Sequence, residues 1–401
     1  MEIAFFSETY PPTHDGVAVE VSDLARALVR LGHGVRVFTT HPTVGAPSER
    51  DVVDGVPVVR VRSLPVPLYS EYRWALFPFP RLRGERLADV DVVHVHTPGM
   101  MGSAGFLAAR HFGKPLIGTF HTNVWEMRSS FPANPLVGLF FSAARWYTLG
   151  TYWRCDLATA PTESARLALV GSARKPFRRS VEVVPNGIEV TRFRPGVAVP
   201  DWRERCGLPD VPLITYLGRL TADKGIHRFL DAIAALPARP EFRAIVAGGG
   251  PEADRVRARL QREPGLAARA RYVGPIAEEE KPALLAQTSV FVLPSTSDTS
   301  SVALLEAMAA GAACVVSRLG GPGDLIEDGT TGLAVDPRSP PELLGSIGRL
   351  LAEPPLRRRL GEAARRYVGR SASIEATARR FISLYELLIA ERFSGARRVA
   401  R

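Results

Sequence analysis

Short, apolar, β-branched runs alternate with amphipathic segments along this chain, and the alternation occurs twice. In the first half the runs are Ile3–Ser7, Val35–Thr39, Val56–Val61, Val92–Val95 and Leu116–Phe120. In the second they are Leu213–Leu217, Ala244–Ala247, Arg271–Val273, Val290–Leu293 and Cys314–Val316. Runs of this kind suit strands buried on both faces of a parallel sheet. Between them, Val17–Leu31 places Val17, Val21, Leu24, Leu28 and Leu31 on one helical face. Helices are also expected near Gly225–Leu236, Pro251–Arg262, Glu278–Gln287, Ser301–Ala310 and Ile374–Phe393, with a frayed basic end at Ser394–Arg401. Strand–helix–strand units connect right-handedly and build parallel sheets.

A length of 401 residues is too great for one such sheet and comfortable for two. The expectation is an α/β chain of two Rossmann-like, doubly wound domains facing a cleft. The expected boundaries are 1–192, a linker at 193–207 centred on the Pro- and Gly-rich Phe193–Asp201, 208–373, and a C-terminal helix, 374–401, packing back on the first domain. Ligands in doubly wound sheets bind at the C-terminal ends of the strands, which puts the site in the cleft.

The net charge of +10 does not single out a nucleic-acid binder. Residues 1–200 carry 22 Lys+Arg against 17 Asp+Glu, and the remainder carries 29 against 24, so the excess is +5 in each half rather than one stripe. An anionic small molecule or an anionic membrane surface fits as well. Cys155, Cys206 and Cys314 are odd in number and far apart, which suggests neither disulfides nor a zinc site; Cys314 reads as a core residue. The N-terminus lacks the pattern of a signal peptide, and no uncharged apolar run reaches spanning length. The expected location is cytoplasmic, with peripheral contact at the inner face of the plasma membrane.

Two segments carry chemistry. In Leu217–Gly225 (LGRLTADKG) a strand ends, Arg219 and Lys224 follow five residues apart, and a helix begins. One bidentate cation and one point cation at such a turn suit a diphosphate. They would neutralise charge on a leaving nucleoside diphosphate without a metal. The bland alternative is a pair of solvated surface charges. In Pro294–Gly311 (PSTSDTSSVALLEAMAAG) a hydroxyl-rich turn enters a helix. Ser300, Ser301 and Val302 lie at the helix start, where unpaired N–H groups favour phosphate. Asp298 and Glu306 would bind sugar hydroxyls; alternatively, Asp298 caps the helix.

With these residues in place the chain resembles the retaining glycosyltransferases of family 4, which have the GT-B fold. Asp298 and Glu306 stand at the spacing of that family's E-x7-E pattern, followed by Val315-Val-Ser, Gly320-Gly and Asp328-Gly-Thr-Thr-Gly-Leu. Val184-Pro-Asn-Gly-Ile-Glu and Phe193-Arg-Pro precede them in the family's order. The resemblance covers nearly the whole chain and rests on these motifs jointly. It implies that Arg219 and Lys224 bind the diphosphate, that Glu306 holds the ribose and that Asp298 contacts the donor sugar. It further implies that Gly16 lets backbone approach a phosphate, that His121 lines the donor-sugar site and that Ile276 meets the base through its backbone. The first domain would bind the acceptor and the second the nucleotide sugar.

Three places depart from the family pattern. Asp298 replaces the usual Glu, Ser300-Ser301 replaces an aromatic and Gly, and Asp15-Gly16 replaces Gly-Gly. These bear on donor choice or on activity itself.

The expected activity is transfer of a hexosyl group from a UDP- or GDP-sugar to a hydroxyl of a lipid or small molecule, with retention, no metal and no cofactor. The alternatives are a GT-B enzyme of other chemistry, such as an epimerase, and a nucleotide-sugar-binding protein that has lost catalysis. The lipid leaning rests on aromatic and Arg residues in Tyr69–Arg83 and Phe131–Trp153, for which core packing is the competing explanation.

Three weaker signals are set aside. Asp89-Val-Asp91 resembles a metal-binding DxD but precedes a strand. His94 and His96 share a strand face yet lack a readable third ligand. Gly248-Gly-Gly250 lacks the GxGxxG register and reads as a tight turn.

Overall fold

The computed structural model describes residues 1–13, 15–66, 69–76, 85–125, 134–173, 175–194 and 202–399. The chain divides into two compact units, one of Met1–Arg128, Ala133–Gly187 and Ile374–Arg401, the other centred on Ile188–Ser373.

In the first unit, strands β1 (Glu2–Phe6), β2 (Gly34–Thr40), β3 (Glu49–Val53) and β4 (Val56–Val61) are followed by a separate antiparallel pair, β5 (Ser63–Val66) and β6 (Tyr69–Ala75). Then come β7 (Val92–Val95), β8 (Leu116–Thr119), β9 (Leu157–Ala160) and β10 (Glu182–Val183). The eight-stranded sheet runs β10-β9-β8-β7-β1-β2-β4-β3, parallel throughout except for the β3–β4 hairpin at its edge. The period-2 alternation of side chains divides the core. Ile3, Phe5, Val35 and Val37 enter one apolar cluster, and Ala4, Phe6, Phe38 and Val95 enter the other. Asp91 ties β1 to the start of β7, because its carboxylate accepts the Glu2 N–H at 2.7 Å. Asp89 pairs with Arg86 at 2.7 Å, so both carboxylates of Asp89-Val-Asp91 have partners within the fold.

The second unit holds β11 (Leu213–Leu217), β12 (Arg243–Ala247), β13 (Ala270–Gly274), β14 (Val290–Leu293), β15 (Ala313–Ser317) and β16 (Leu333–Val335). All are parallel, in the order β13-β12-β11-β14-β15-β16. Strand order reverses between β1 and β7 in one unit and between β11 and β14 in the other. Those are the places where doubly wound sheets take their ligands.

The segment expected to be a linker is structured where it is described. Trp202–Cys206 is a short helix whose Trp202 and Cys206 are buried in the core of the second unit, and residues 195–201 lie outside the described residues. Cys314 is wholly buried in β15. The final helix runs Ile374–Val399, so the segment expected to fray continues it. It packs on the helix Gly16–Arg30 through Ile374, Ala378, Phe381, Tyr385 and Leu388, the i, i+3/i+4 spacing of one helical face.

A string of buried polar groups crosses this packing. The Tyr385 hydroxyl lies 2.8 Å from His94 Nδ1, His94 Nε2 lies 2.7 Å from Thr119 Oγ1, and Thr119 Oγ1 lies 2.7 Å from Thr159 Oγ1. Burial holds His94 neutral, so both ring nitrogens need partners, one as donor and one as acceptor. A Tyr385→Phe substitution strips one of them without changing the apolar fill. The expected cost is about 1–3 kcal/mol in urea unfolding, the penalty for an orphaned buried polar group. An unchanged midpoint would show that the string does not stabilise the unit.

Candidate active site

The loops that leave β11 and β14 are fastened to each other. The Thr296 N–H donates to the Asp223 carbonyl at 2.7 Å, and Gly225 lies so close to Pro294 that a Cβ would fall 2.1 Å from its carbonyl oxygen. Gly225 also has φ +79, a left-handed conformation that glycine adopts at little cost. Beneath, the wholly buried Tyr216 offers its hydroxyl to the Arg219 carbonyl at 3.1 Å and the Lys224 carbonyl at 3.4 Å. The result is an ion pair between the loops: Lys224 Nζ lies 2.5 Å from Asp298 Oδ2. The Asp298 carboxylate is 7% exposed and the Lys224 side chain 26%. Burial raises the Asp298 carboxyl above its usual range, opposed by Lys224 and by the Ser300 N–H. Lys224 is therefore not a solvated surface charge, and Arg219 stands five residues before it. They belong to one loop whose lysine meets a buried acid.

Asp298 does not cap the following helix. That helix is Val302–Ala309, and its N-cap is Ser301, whose hydroxyl accepts the Leu304 N–H at 3.2 Å. Asp298 instead faces Lys224 because its carbonyl is held by the Gly321 N–H at 2.8 Å and its carboxylate by the Ser300 N–H. The Ser300 hydroxyl is buried and meets no partner among the described residues.

Glu306 lies one turn into the helix and is 2% exposed. Its Oε1 is 3.4 Å from Lys281 Nζ, which also reaches Glu278 at 2.7 Å. Burial pushes the Glu306 carboxyl up to about 7, against the pull of Lys281. Its other oxygen, Oε2, is buried without a partner among the described residues, which leaves an acceptor for a hydroxyl. Ile276 precedes Glu278 by two residues and packs on the core of the unit. Lys281 and Glu278 went unrecognised in the sequence because neither has a motif; only folding brings them to Glu306. Gly248-Gly-Gly250 proves to be a packing turn, since a Cβ on Gly248 would lie 1.9 Å from the Gly218 carbonyl oxygen.

In the first unit, Gly16 opens the helix Gly16–Arg30 and Asp15 caps it. Asp15 Oδ1 accepts the Val17 and Ala18 N–H groups, both at 2.9 Å. An anion at this helix end would have to share those two groups with, or take them from, the Asp15 carboxylate. His121, just beyond β8, is 7% exposed and sits among buried polar groups. Its Nε2 lies 3.2 Å from His96 Nδ1 and 3.2 Å from Glu20 Oε2.

Glu20, His96 and His121 present ligand atoms within 4.8 Å of one another. The third group that the His94–His96 pattern lacked is thus Glu20, although His94 itself is turned to Tyr385 and Thr119. The sequence carried a signal for Glu20: a carboxylate three residues after Val17 and four before Leu24, within the apolar stripe of its helix. Within the cluster His121 and His96 share a ring-to-ring contact, while Glu20 Oε2 and His96 Nε2 are buried with no hydrogen-bond partner among the described residues. Burial raises Glu20 to about 8 and lowers His121 to about 3.

These shifts oppose each other in the stability of the fold. Unfolded Glu20 ionises near its ordinary value of 4.5, while in the fold it keeps its proton to about pH 8. The unfolded chain therefore binds fewer protons between those values, and Glu20's stabilising contribution falls as pH rises, by about 1.4 kcal/mol per pH unit at most. His121, with a folded value near 3 and an ordinary value of 6.5, acts in the other sense: its contribution is complete above pH 6.5 and is lost as pH falls to 3. A Glu20→Gln variant should lose part of the decline in urea-unfolding free energy between pH 6.5 and 8. An identical pH slope in variant and wild type would contradict this account of Glu20.

Residues 14–192 match the family described as Glycosyltransferase Family 4, and residues 199–367 match Glycosyl transferases group 1. The chain is 31% identical over 370 residues to a GDP-mannose-dependent alpha-mannosyltransferase of Mycolicibacterium smegmatis, covering 92% of each chain. It is 29% identical to a D-inositol 3-phosphate glycosyltransferase of Acidothermus cellulolyticus, covering 95% of this chain and 87% of the other. Its fold matches that of sucrose-phosphate synthase from Thermosynechococcus elongatus with a TM-score of 0.77 at 23% identity, over 97% of this chain and 99% of that one. Two Rossmann-like units and the relationship across 92% of the chain lead to one assignment: the protein is a glycosyltransferase of family 4, with the GT-B fold.

Proposed function

We propose that this enzyme moves a hexosyl group from a UDP- or GDP-sugar to a hydroxyl of a lipid or small-molecule acceptor, with retention and without a metal ion. The observation that carries the proposal is the pairing of Lys224 with the buried Asp298 where β11 and β14 end, on the loop that also bears Arg219. A donor diphosphate at this loop would be met by a guanidinium and an ammonium. Glu306, with one unpartnered oxygen, would take the ribose hydroxyls. Asp298 would contact the sugar, Ser300, Ser301 and Val302 the phosphates, and Ile276 the base. Gly16 and His121 are proposed for the phosphate and the sugar on the strength of the family resemblance. In the transfer, the anomeric carbon–oxygen bond to the diphosphate breaks as the acceptor oxygen bonds to the same face. The acceptor proton leaves with the diphosphate, whose charge the two cations offset.

GDP-mannose is the donor in the name of the 31% identical relative, which supports a hexose on a nucleoside diphosphate. A lipid acceptor is supported by the helix Pro135–Trp153. Phe141 and Tyr152 pack inward, but Leu136 is 75% exposed, Leu139 68% and Trp146 69%. Core packing thus accounts for only part of this aromatic segment. Residues 77–83 and 131–133 of the two aromatic segments lie outside the described residues. No described helix is long and apolar enough to cross a membrane. Peripheral contact with an anionic membrane surface is part of the proposal.

The test is release of nucleoside diphosphate from UDP-, GDP- and ADP-sugars, with and without lipid vesicles and with EDTA present. Release from one donor that survives EDTA and falls about 100-fold or more in Lys224→Ala is the expected result. Tight diphosphate binding with no release from any donor would overturn it in favour of a binding protein.

A further inference from the structure

Glu8 has a role that the donor site does not account for. It lies two residues beyond β1, beside the reversal of strand order between β1 and β7, and its backbone is pinned to the end of β2 and to the turn after β7. Its N–H donates to Thr97 Oγ1 and its carbonyl accepts from Thr40 Oγ1, each at 2.7 Å. The residue is 7% exposed. One carboxylate oxygen, Oε1, accepts the Met101 N–H at 2.7 Å, in the first turn of the helix Met100–His111. Gly99 makes room for it, since a Cβ there would fall 2.2 Å from Oε1. The Gly99 carbonyl in turn accepts the Tyr147 hydroxyl at 3.1 Å, and Tyr147 is 37% exposed. The second oxygen, Oε2, is buried and has no hydrogen-bond partner among the described residues.

Capping the helix Met100–His111 takes Oε1 only, and the Ala75 N–H pulls on the carboxyl without forming a hydrogen bond to Oε2. A buried acceptor left without a donor costs about 1–3 kcal/mol. Burial pushes the Glu8 carboxyl up to about 7, against the pull of the Met101 and, more weakly, the Ala75 N–H groups. A neutral hydroxyl would satisfy Oε2, whereas an anion would be repelled once Glu8 ionises.

We propose that Glu8 binds the acceptor: Oε2 takes a hydrogen bond from an acceptor hydroxyl at the C-terminal end of β1, beside Tyr147. This rests on the transferase reading and names, within it, a residue that chooses a hydroxyl-bearing headgroup. Glu8 is a binding group here, with no proton transfer assigned to it.

Glu8→Gln separates the two duties, because an amide oxygen can still cap Met101 while the second oxygen becomes an NH2 group. Nucleoside-diphosphate release is measured with phosphatidylcholine vesicles carrying diacylglycerol, and separately with myo-inositol, to distinguish a lipid hydroxyl from a soluble polyol. In Glu8→Gln the KM for whichever acceptor stimulates the wild type should rise at least tenfold. Donor KM, acceptor-free donor hydrolysis and thermal midpoint should stay within twofold or 2 °C of wild type. An unchanged acceptor KM, or an equal loss of donor hydrolysis, would overturn the inference. So would wild-type enzyme that hydrolyses donor but is stimulated by neither hydroxyl probe. Wild-type enzyme that releases nothing from any donor would instead sink the functional reading.

Discussion

The loops that bear the cations and acids depend on one steric and hydrogen-bonding constraint: the turn after β11 lies directly on the turn after β14. Gly225 has no side chain to hold it off Pro294, and the Thr296 N–H closes on Asp223. From that contact follows the placement of Lys224 on Asp298. A lysine seven residues past a strand would otherwise be a mobile surface charge. An aspartate in a hydroxyl-rich turn would otherwise cap its own helix. Joined, they form a partly shielded ion pair in which the desolvation of the acid is offset by the ammonium, and the ammonium keeps enough exposure to meet a second anion.

A second theme is the number of buried ionisable groups whose protonation is shifted by burial. Glu8, Glu20 and Glu306 are all raised by burial, while His94, His96 and His121 are lowered. None of these groups is placed by apolar packing alone. Glu20 interrupts an apolar helix face, and Glu8 occupies a space that only a glycine at position 99 leaves open. Buried polar clusters of this sort cost stability unless each member finds a partner, and they concentrate where ligands bind. His94 satisfies its needs through Tyr385 and Thr119, a structural use. Glu8, Glu20 and Glu306 each retain an oxygen with no hydrogen-bond partner among the described residues.

The strands were legible because buried parallel strands write themselves as β-branched runs, and all ten that periodicity indicated are present within a residue or two. The edge elements were not. β3 is half polar, β10 and β16 are two and three residues long, and the β5–β6 pair contains Pro65. Such segments have too little apolar content for periodicity to reveal. The helix Met100–His111 is rich in Gly and Ala, so its packing face carries no large apolar stripe. Trp202–Cys206 was hidden by its proximity to a Pro- and Gly-rich stretch, although Trp202 is anchored in the core.

By itself the sequence determined the fold class, the family and the two loops that carry cations and acids, because these depend on local periodicity and on spacing along one strand–turn–helix unit. Only the tertiary structure decided which charges meet. Lys224 reaches Asp298 across 74 positions, Lys281 reaches Glu306 across 25, and Glu20 meets His121 across 101. Those separations are spanned by sheet order rather than by sequence. The burial that sets each group's protonation arises only when the strands on either side are in place.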